Sequence, residues 1–272
     1  MGTELGQLRA QHPAAVGGRT SLARVLDVLQ EDPRPCSYLA DRSASLLHRI
    51  QVDVTPLELE ALLERGWRRF GPDYFRPGCA PCFECVPTRI PTAEFRPSKS
   101  QRRAHAACGE LEVRVGAPIC DDERLALYHA WHGQRERKRG WEEAMLSERS
   151  YRIQFAFPHP AAREITYVEP ESGKLVGVGL CDETPRAWSA IYFFYDPAWA
   201  KKSIGTANVV TQIEIARRRG IPYVYLGYQV DGCPSLAYKA SFRPQEHLIG
   251  LPEADETPVW QRAPAAPTLK RS

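Results

Sequence analysis

Apolar and polar positions change rhythm several times along this chain. Leu111, Val113 and Val115 alternate with charged neighbours, the period of a half-buried strand. Residues 67–70 and 74–76 flank Gly71-Pro72-Asp73, which predicts two short strands joined by a turn. Thr55-Pro56-Leu57-Glu58 is a capping box with proline at the first helical position, and Gly66 stands where the helix should stop, so a helix is expected over 56–65. A polar helix over 98–107 would carry Lys99, Arg102 and Arg103 on nearby turns. Asp121 or Asp122 caps a further helix running through Trp131 into the charge run 135–139, read as a solvated helix end.

Beyond residue 150 the pattern becomes strand-rich. Strands are expected over 165–168, 175–181 and 187–195, the first two separated by the turn signal Glu171-Ser172-Gly173-Lys174. A small-residue loop over 202–207 then leads into a helix over 207–219, a stop at Gly220 and a strand over 223–226. At the ends, 1–33 reads as weakly structured with a short helix over 21–29, and 253–272, with prolines at 258, 264 and 267, reads as a disordered extension. The body divides near residue 150 into an N-terminal part, 34–150, and a C-terminal part, 151–252. The expected class is α+β: a small cysteine-containing α/β region followed by a mixed-sheet domain.

Composition narrows the class. Hydrophobic residues make up 43% of 272, enough to build a core, and no apolar run approaches the roughly 18 residues of a membrane span. With no charged start followed by an apolar block, and eight irregularly spaced cysteines, the expectation is a cytoplasmic protein with reduced thiols and no membrane partner. The net charge of +3 conceals a concentration. Between Arg65 and Arg103 nine basic side chains face three acidic ones, a local balance of +6. Interleaved with Trp67, Phe70, Tyr74 and Phe75, these cations suit a nucleic-acid backbone and stacked bases, or simply a solvated face.

Candidate chemistry lies in both halves. Cys79, Cys82 and Cys85 recur at two-residue spacing, and Cys36 supplies a fourth thiol, so the set reads either as ligands to a zinc ion or iron-sulfur cluster or as free thiols. Cys108, Cys120, Cys181 and Cys233 read as ordinary. The loop entering the helix at 207 presents free backbone N–H groups, a ready phosphate site. Lys202-Ser203-Ile204-Gly205-Thr206-Ala207 resembles the arginine-or-glutamine-x-x-glycine-x-glycine-or-alanine loop of the N-acetyltransferase (GNAT) superfamily. No Gly-x-Ser-x-Gly element points to a serine nucleophile.

Ordered blocks across the chain carry a wider resemblance. They include Pro35-Cys36-Ser37-Tyr38-Leu39, Tyr74-Phe75-Arg76-Pro77, Cys85-Val86-Pro87-Thr88-Arg89-Ile90-Pro91, Ser98-Lys99-Ser100-Gln101-Arg102-Arg103, Ile191-Tyr192-Phe193-Phe194-Tyr195-Asp196-Pro197, Ser203-Ile204-Gly205-Thr206, Pro222-Tyr223-Val224-Tyr225-Leu226-Gly227-Tyr228 and Tyr238-Lys239-Ala240-Ser241-Phe242-Arg243-Pro244. In these the chain resembles the aminoacyl-tRNA-protein transferases of the N-degron pathway, most of all their short bacterial branch. The resemblance implies a GNAT-like C-terminal domain and transfer of leucine or arginine from charged tRNA to the α-amine of a protein beginning with Asp or Glu. It implies no cofactor for the chemistry, although family members outside this branch can hold an iron-sulfur cluster.

Residue roles follow as expectations. Asp196 is the candidate for steering or deprotonating the amine, beside Tyr192 and Tyr195. Arg76, Arg89, Lys239 and Arg243 are candidates for reading the acidic side chain, because a cation, best an arginine fork, suits a carboxylate. Tyr225, Tyr228 and Gln229 are candidates for the aminoacyl pocket. Lys99, Arg102, Arg103, Lys202, Ser203, Gly205 and Thr206 are the expected tRNA contacts. The chain departs from the bacterial pattern after Arg103, where Ala104-His105-Ala106-Ala107-Cys108 replaces further cations, and at Gln229, where tryptophan is common. Two other readings keep part of the pattern: a CoA-dependent N-acyltransferase, and a noncatalytic RNA-binding or metal-sensing protein.

Overall fold

The computed structural model describes residues 23–139 and 145–264. The first strands are β1 (Arg24–Gln30), β2 (Arg34–Pro35), β3 (Ser43–Ala44) and β4 (Leu46–Val52). Helix α1 (Pro56–Glu64) is set by its capping box: Thr55 Oγ1 accepts from the Glu58 N–H while the Glu58 carboxylate accepts from the Thr55 N–H. β5 (Arg68–Phe70) and β6 (Asp73–Pro77) form the expected hairpin, and a four-stranded antiparallel sheet results in the order β1-β4-β6-β5.

β7 (Val86–Pro91) is followed by α2 (Lys99–Ala107), closed by a second capping box from Ser98 and Gln101. Next come β8 (Glu112–Gly116), α3 (Asp122–Arg139), which Asp121 caps by accepting from the Arg124 N–H, and α4 (Glu148–Gln154). β9 (Ala162–Val168), β10 (Leu175–Glu183) and β11 (Ala187–Tyr195) form a meander, and a short 3-10 helix (Pro197–Lys202) leads into α5 (Ile204–Arg218). The chain continues through β12 (Tyr223–Gln229), α6 (Pro234–Ala237), a 3-10 turn (Tyr238–Ser241), β13 (Glu246–Leu248) and β14 (Trp260–Arg262).

These build an eight-stranded mixed sheet in the order β14-β13-β7-β12-β11-β10-β9-β8. Strands from both sides of position 150 share it: β7 lies between β13 and β12, and β8 pairs with β9. The two readings of the chain ends are corrected over the described residues. Positions 24–30 form a strand paired with β4, not a helix, and 260–262, inside the expected disordered extension, pair with β13. Positions 1–22 and 265–272 lie outside the described residues. Among those described, no helix is long and apolar enough to cross a membrane.

Strand alternation directs the core. Ile165, Tyr167, Trp188 and Val224 pack with the inner side of α5, whose buried Gln212 accepts from the Trp188 indole N–H at 2.9 Å. Val168, Val178 and Phe194 pack with Tyr128 of α3 and Tyr151 of α4. Ala187 and Tyr225 meet Leu59 and Leu63 of α1, Trp67 just before β5, and Tyr74 of β6. The two sheets are thus packed together through an apolar cluster, with β5 brought against β11.

Candidate active site

β11 and β12 are the parallel pair, connected through α5. Their ladder holds for only three pairs, Ala187↔Tyr223, Trp188↔Val224 and Ser189↔Tyr225. Beyond Ser189 and Tyr225 the strands part, and Leu226 opens a bulge on the β7 side of β12, where Gly227 takes a φ of +78°. The gap lies toward the carboxyl ends of two parallel strands, the end at which α5 also begins and where open α/β sheets place ligands.

Two cations occupy this gap. Arg68, from β5, donates through Nη1 to Ser189 Oγ at 2.8 Å and through Nη2 to the Ala190 carbonyl that β12 leaves unpaired. Lys239, from the 3-10 turn, donates through Nζ to the Tyr228 carbonyl at 2.6 Å. A Cβ placed on Gly227 would stand 3.5 Å from Arg68 Nε and 3.6 Å from Lys239 Nζ, so this glycine marks the space between them. Burial, and then Arg68, bring the Lys239 ammonium down to about 7; burial also lowers Arg68.

The side chains around the gap are held from behind. Tyr228 donates its hydroxyl to the Gly66 carbonyl at 2.7 Å, and burial pushes that phenol far above its ordinary value. Gln229 donates through Nε2 to Asp231 at 3.1 Å, while its Oε1 is buried and receives no hydrogen bond. Tyr225 accepts from Arg89 Nη1 at 3.2 Å.

The other predicted anion readers are already engaged. Arg76 is paired with Glu253 and donates to the Pro252 carbonyl at 3.0 Å; it also lies 4.8 Å above Trp67. Arg89 pairs with Glu246 at 2.8 Å and stacks on Tyr223 and Trp260. Arg243 donates to the carbonyls of Ala240 at 2.9 Å and Pro264 at 2.7 Å. Lys239 alone of the four faces the strand gap without an acidic partner among the described residues.

Asp196 sits apart from this gap. It caps the 3-10 helix by accepting from the Ala198 N–H at 2.9 Å and pairs with Lys174 at 2.6 Å. Burial raises its carboxyl, but the Lys174 ammonium and the Ala198 N–H outweigh it, so the group is held below the ordinary range and is a weak base. Tyr192 and Tyr195 point to opposite faces of β11, as their odd spacing on a regularly paired stretch of strand requires. Tyr192 joins an aromatic wall with Phe70, Tyr128 and Phe155 and shares a 2.8 Å hydrogen bond with His132 Nε2.

Two residues of this site escaped the sequence reading. Arg68 looked like one more surface cation, although Trp67-Arg68-Arg69-Phe70 on a strand must turn one of its two arginines inward. His132 carried only its helical neighbourhood to Trp131, too little to single it out.

α2 connects the gap to the start of α5. At its first turn Gln101 donates to the Ser241 carbonyl at 3.1 Å, beside Lys239, and at its far end Cys108 lies against the Lys202 carbonyl. Lys99, Arg102 and Arg103 are exposed along it. At the entrance to α5, Ser203 has a φ of +59° and gives no side-chain cap, and a Cβ on Gly205 would meet nothing within 4 Å. Lys202 covers Trp199 at 3.9 Å and pairs with Glu110, and Thr206 lies in the first turn.

The thiols stand next to this region. Among the described residues, no three of His, Cys, Asp and Glu are placed to hold a metal ion. Cys79 Sγ exchanges hydrogen bonds with the backbone of Ser45, and Cys36 Sγ accepts from the Tyr38 N–H. Burial, reinforced by Cys79, Cys36, Cys82 and Cys233, pushes Cys85 up to about 12, a protonated thiol. Cys36, Cys79 and Cys82 thus lie close enough to Cys85 for their charges to act on it.

Comparison with known proteins agrees with the ordered blocks. The model described as arginine-tRNA-protein transferase, N terminus, matches residues 34–103, and its C-terminus counterpart matches 123–249. An aspartate/glutamate leucyltransferase of Helicobacter hepaticus is 32% identical over 231 residues, 85% of this chain and 95% of that protein. One of Stenotrophomonas maltophilia is 37% identical over 231 residues, 83% of this chain and 91% of that protein. Among solved structures, FemX aligns with a TM-score of 0.42 at 10% identity, over 66% of this chain and 61% of that one. With both halves of the family pattern matched in order, and relatives above 30% identity spanned almost end to end, the chain belongs to the arginine-tRNA-protein transferase family.

Proposed function

We propose that this enzyme moves leucine from leucyl-tRNA to the α-amine of proteins that begin with Asp or Glu, marking them for N-degron degradation. The observation that carries the donor and the acceptor is the match, over most of the chain, to relatives bearing the name aspartate/glutamate leucyltransferase. The strand–loop–helix–strand unit from β11 to β12 is read as a GNAT-like centre, with the aminoacyl ester lying in the gap between the two strands.

The chemistry asks little of the protein. The ester is already activated, and an α-amine with a pKa of about 7.7–8.0 is partly neutral near pH 7, so correct placement accounts for most of the rate. The amine attacks the ester carbonyl, the ribose oxygen leaves, and one proton passes from nitrogen to that oxygen. No metal or organic cofactor enters these steps. The exposed cations of α2 would follow the tRNA backbone, and the free N–H groups at the start of α5 would take a phosphate near the charged 3′ end. Tyr225, Tyr228 and Gln229 would border the aminoacyl group.

The test is to incubate the purified protein with leucyl-tRNA or arginyl-tRNA and peptides beginning with Asp, Glu or Ala, and to follow peptide mass. A single leucine added to the acidic peptides alone is the expected result. Addition of arginine instead would replace the donor, and no addition with either would overturn the transferase reading for both.

A further inference from the structure

Four cationic side chains are buried among the described residues: Arg69, Arg76, Arg89 and Lys239. The first three each meet a carboxylate, in Asp182, Glu253 and Glu246. Lys239, 7% exposed, meets only a peptide carbonyl. The half-buried Arg68 beside it likewise hydrogen-bonds only to a hydroxyl and a carbonyl, while Asp182, whose charge reaches it, is hydrogen-bonded to Arg69 instead. A cation removed from water without a counter-charge is costly, and two next to each other more so. An anion brought between them would offset that cost.

The space for one is marked by Gly227, whose missing side chain leaves room against Arg68 Nε and Lys239 Nζ. Gln229 follows two residues later on β12, and strand periodicity turns its side chain to the same side. Its buried Oε1 lacks a donor. The pair of cations therefore adjoins an unfilled acceptor, a combination that suits a ligand carrying a carboxylate and, close to it, an N–H group. A residue with an acidic side chain and a free α-amine has both.

We infer that Arg68 and Lys239 form the subsite for the side-chain carboxylate of the acceptor's N-terminal residue, with Gln229 Oε1 accepting from its N–H groups. The inference rests on the transferase reading for its ligand, but binding can be measured without transfer. Arg68 and Lys239 are then specificity-determining residues: they reject Asn and Gln because a neutral amide leaves both charges buried and uncompensated.

The experiment measures calorimetric affinity of the full chain for two peptides that differ only in Glu or Gln at the first position, together with transfer from leucyl-tRNA. The wild type is expected to bind the Glu peptide at least tenfold more tightly. Lys239→Met and Arg68→Gln should each bring the two affinities within about threefold, and Lys239→Arg should keep a measurable preference for Glu. Should either neutral variant fail to fold, the charge-keeping Lys239→Arg and Arg68→Lys decide: the subsite requires that both favour Glu. Equal binding of the two peptides by the wild type, or a Glu preference that survives both neutral substitutions, overturns the inference. So does a loss of tRNA affinity with the Glu preference intact, which would assign the cations to a phosphate. A Glu preference in a protein that transfers nothing would keep the subsite and sink the transferase reading alone.

Discussion

Arg69 and Asp182 form a buried bidentate ion pair, with Arg69 Nε donating to Asp182 Oδ2 at 3.0 Å and Nη2 to Oδ1, and this pair ties β5 to β10. Its neighbour Arg68 thereby reaches across to Ser189. Asp182→Asn leaves the Arg69 charge without a counter-ion, and the expected loss is ~3–5 kcal/mol. For a chain of this size that corresponds to a fall in Tm of roughly 10 °C. A thermal melt checks it; a Tm within a degree or two of wild type would show that the pair does not hold the sheets together.

Acid should loosen the same junction through His159. Its Nδ1 accepts from the Ala161 N–H at 3.0 Å, so the neutral ring carries its proton on Nε2, facing the Tyr74 hydroxyl at 3.1 Å. Burial, with help from Arg69, lowers the ring from 6.5 to about 4. Between those values the unfolded chain binds the extra proton and the folded one does not, so stability falls as pH drops from 6.5 toward 4. His159→Gln should flatten that part of the stability curve in urea melts at stepped pH. An unchanged slope would place the acid sensitivity elsewhere.

Lys239 titrates in the opposite range. Facing it are Arg68 from β5, the Tyr228 carbonyl on β12 and the thiols of Cys85 and Cys233. Its folded value of about 7 lies below the ordinary 10.5, so between these the unfolded chain again holds more protons, and stability rises with pH. Lys239→Met should therefore stabilise the protein at pH 7, by about 2 kcal/mol, and by progressively less as pH approaches 10. Denaturant melts at pH 7 and 9.5 test the difference; a constant offset would mean that Lys239 is not buried as an uncompensated cation.

Exposed cations on α2 supply a test that leaves the fold alone. Replacing Lys99 and Arg103 with alanine should change stability by less than about 0.5 kcal/mol. If they contact tRNA phosphates, KM for leucyl-tRNA should rise, with kcat held, and the slope of log affinity against log salt should fall by about 2. An unaltered salt slope would return α2 to the status of a solvated face.

How far the chain announced all this depends on what holds each element. Helices with side-chain caps were legible, because Thr55 with Glu58, Ser98 with Gln101, and Asp121 act within four residues. β1 was misread: Val25, Leu26, Val28 and Leu29 imitate a helical stripe, whereas the strand is exposed along its length and carries a bulge between Val25 and Asp27. β7 was hidden by Pro87 and Pro91, which argue against a central strand. It is tolerated because β13 pairs with it only at Thr88 and Arg89, between the two prolines. Lys239 stood in a recognisable block, but Arg68 became a candidate only once the packing of two sheets buried it.

Gly205 separates folding from ligand binding most sharply. It occupies the first turn of α5, its φ is not positive, and an added methyl would meet no atom within 4 Å. Alanine there should stabilise the helix by roughly 0.5–1 kcal/mol, since glycine is the poorer helix former. A phosphate drawn to the free N–H groups must approach the backbone closely, and the same methyl stands in its way. Gly205→Ala is thus expected to raise Tm slightly while increasing KM for leucyl-tRNA about tenfold or more, with no change in the Glu-over-Gln preference of the acceptor. Steady-state kinetics with varied donor, alongside a melt, check both halves. A variant that is more stable and equally active would remove the phosphate from the start of α5 and leave the strand gap and α2 as the elements that hold the donor.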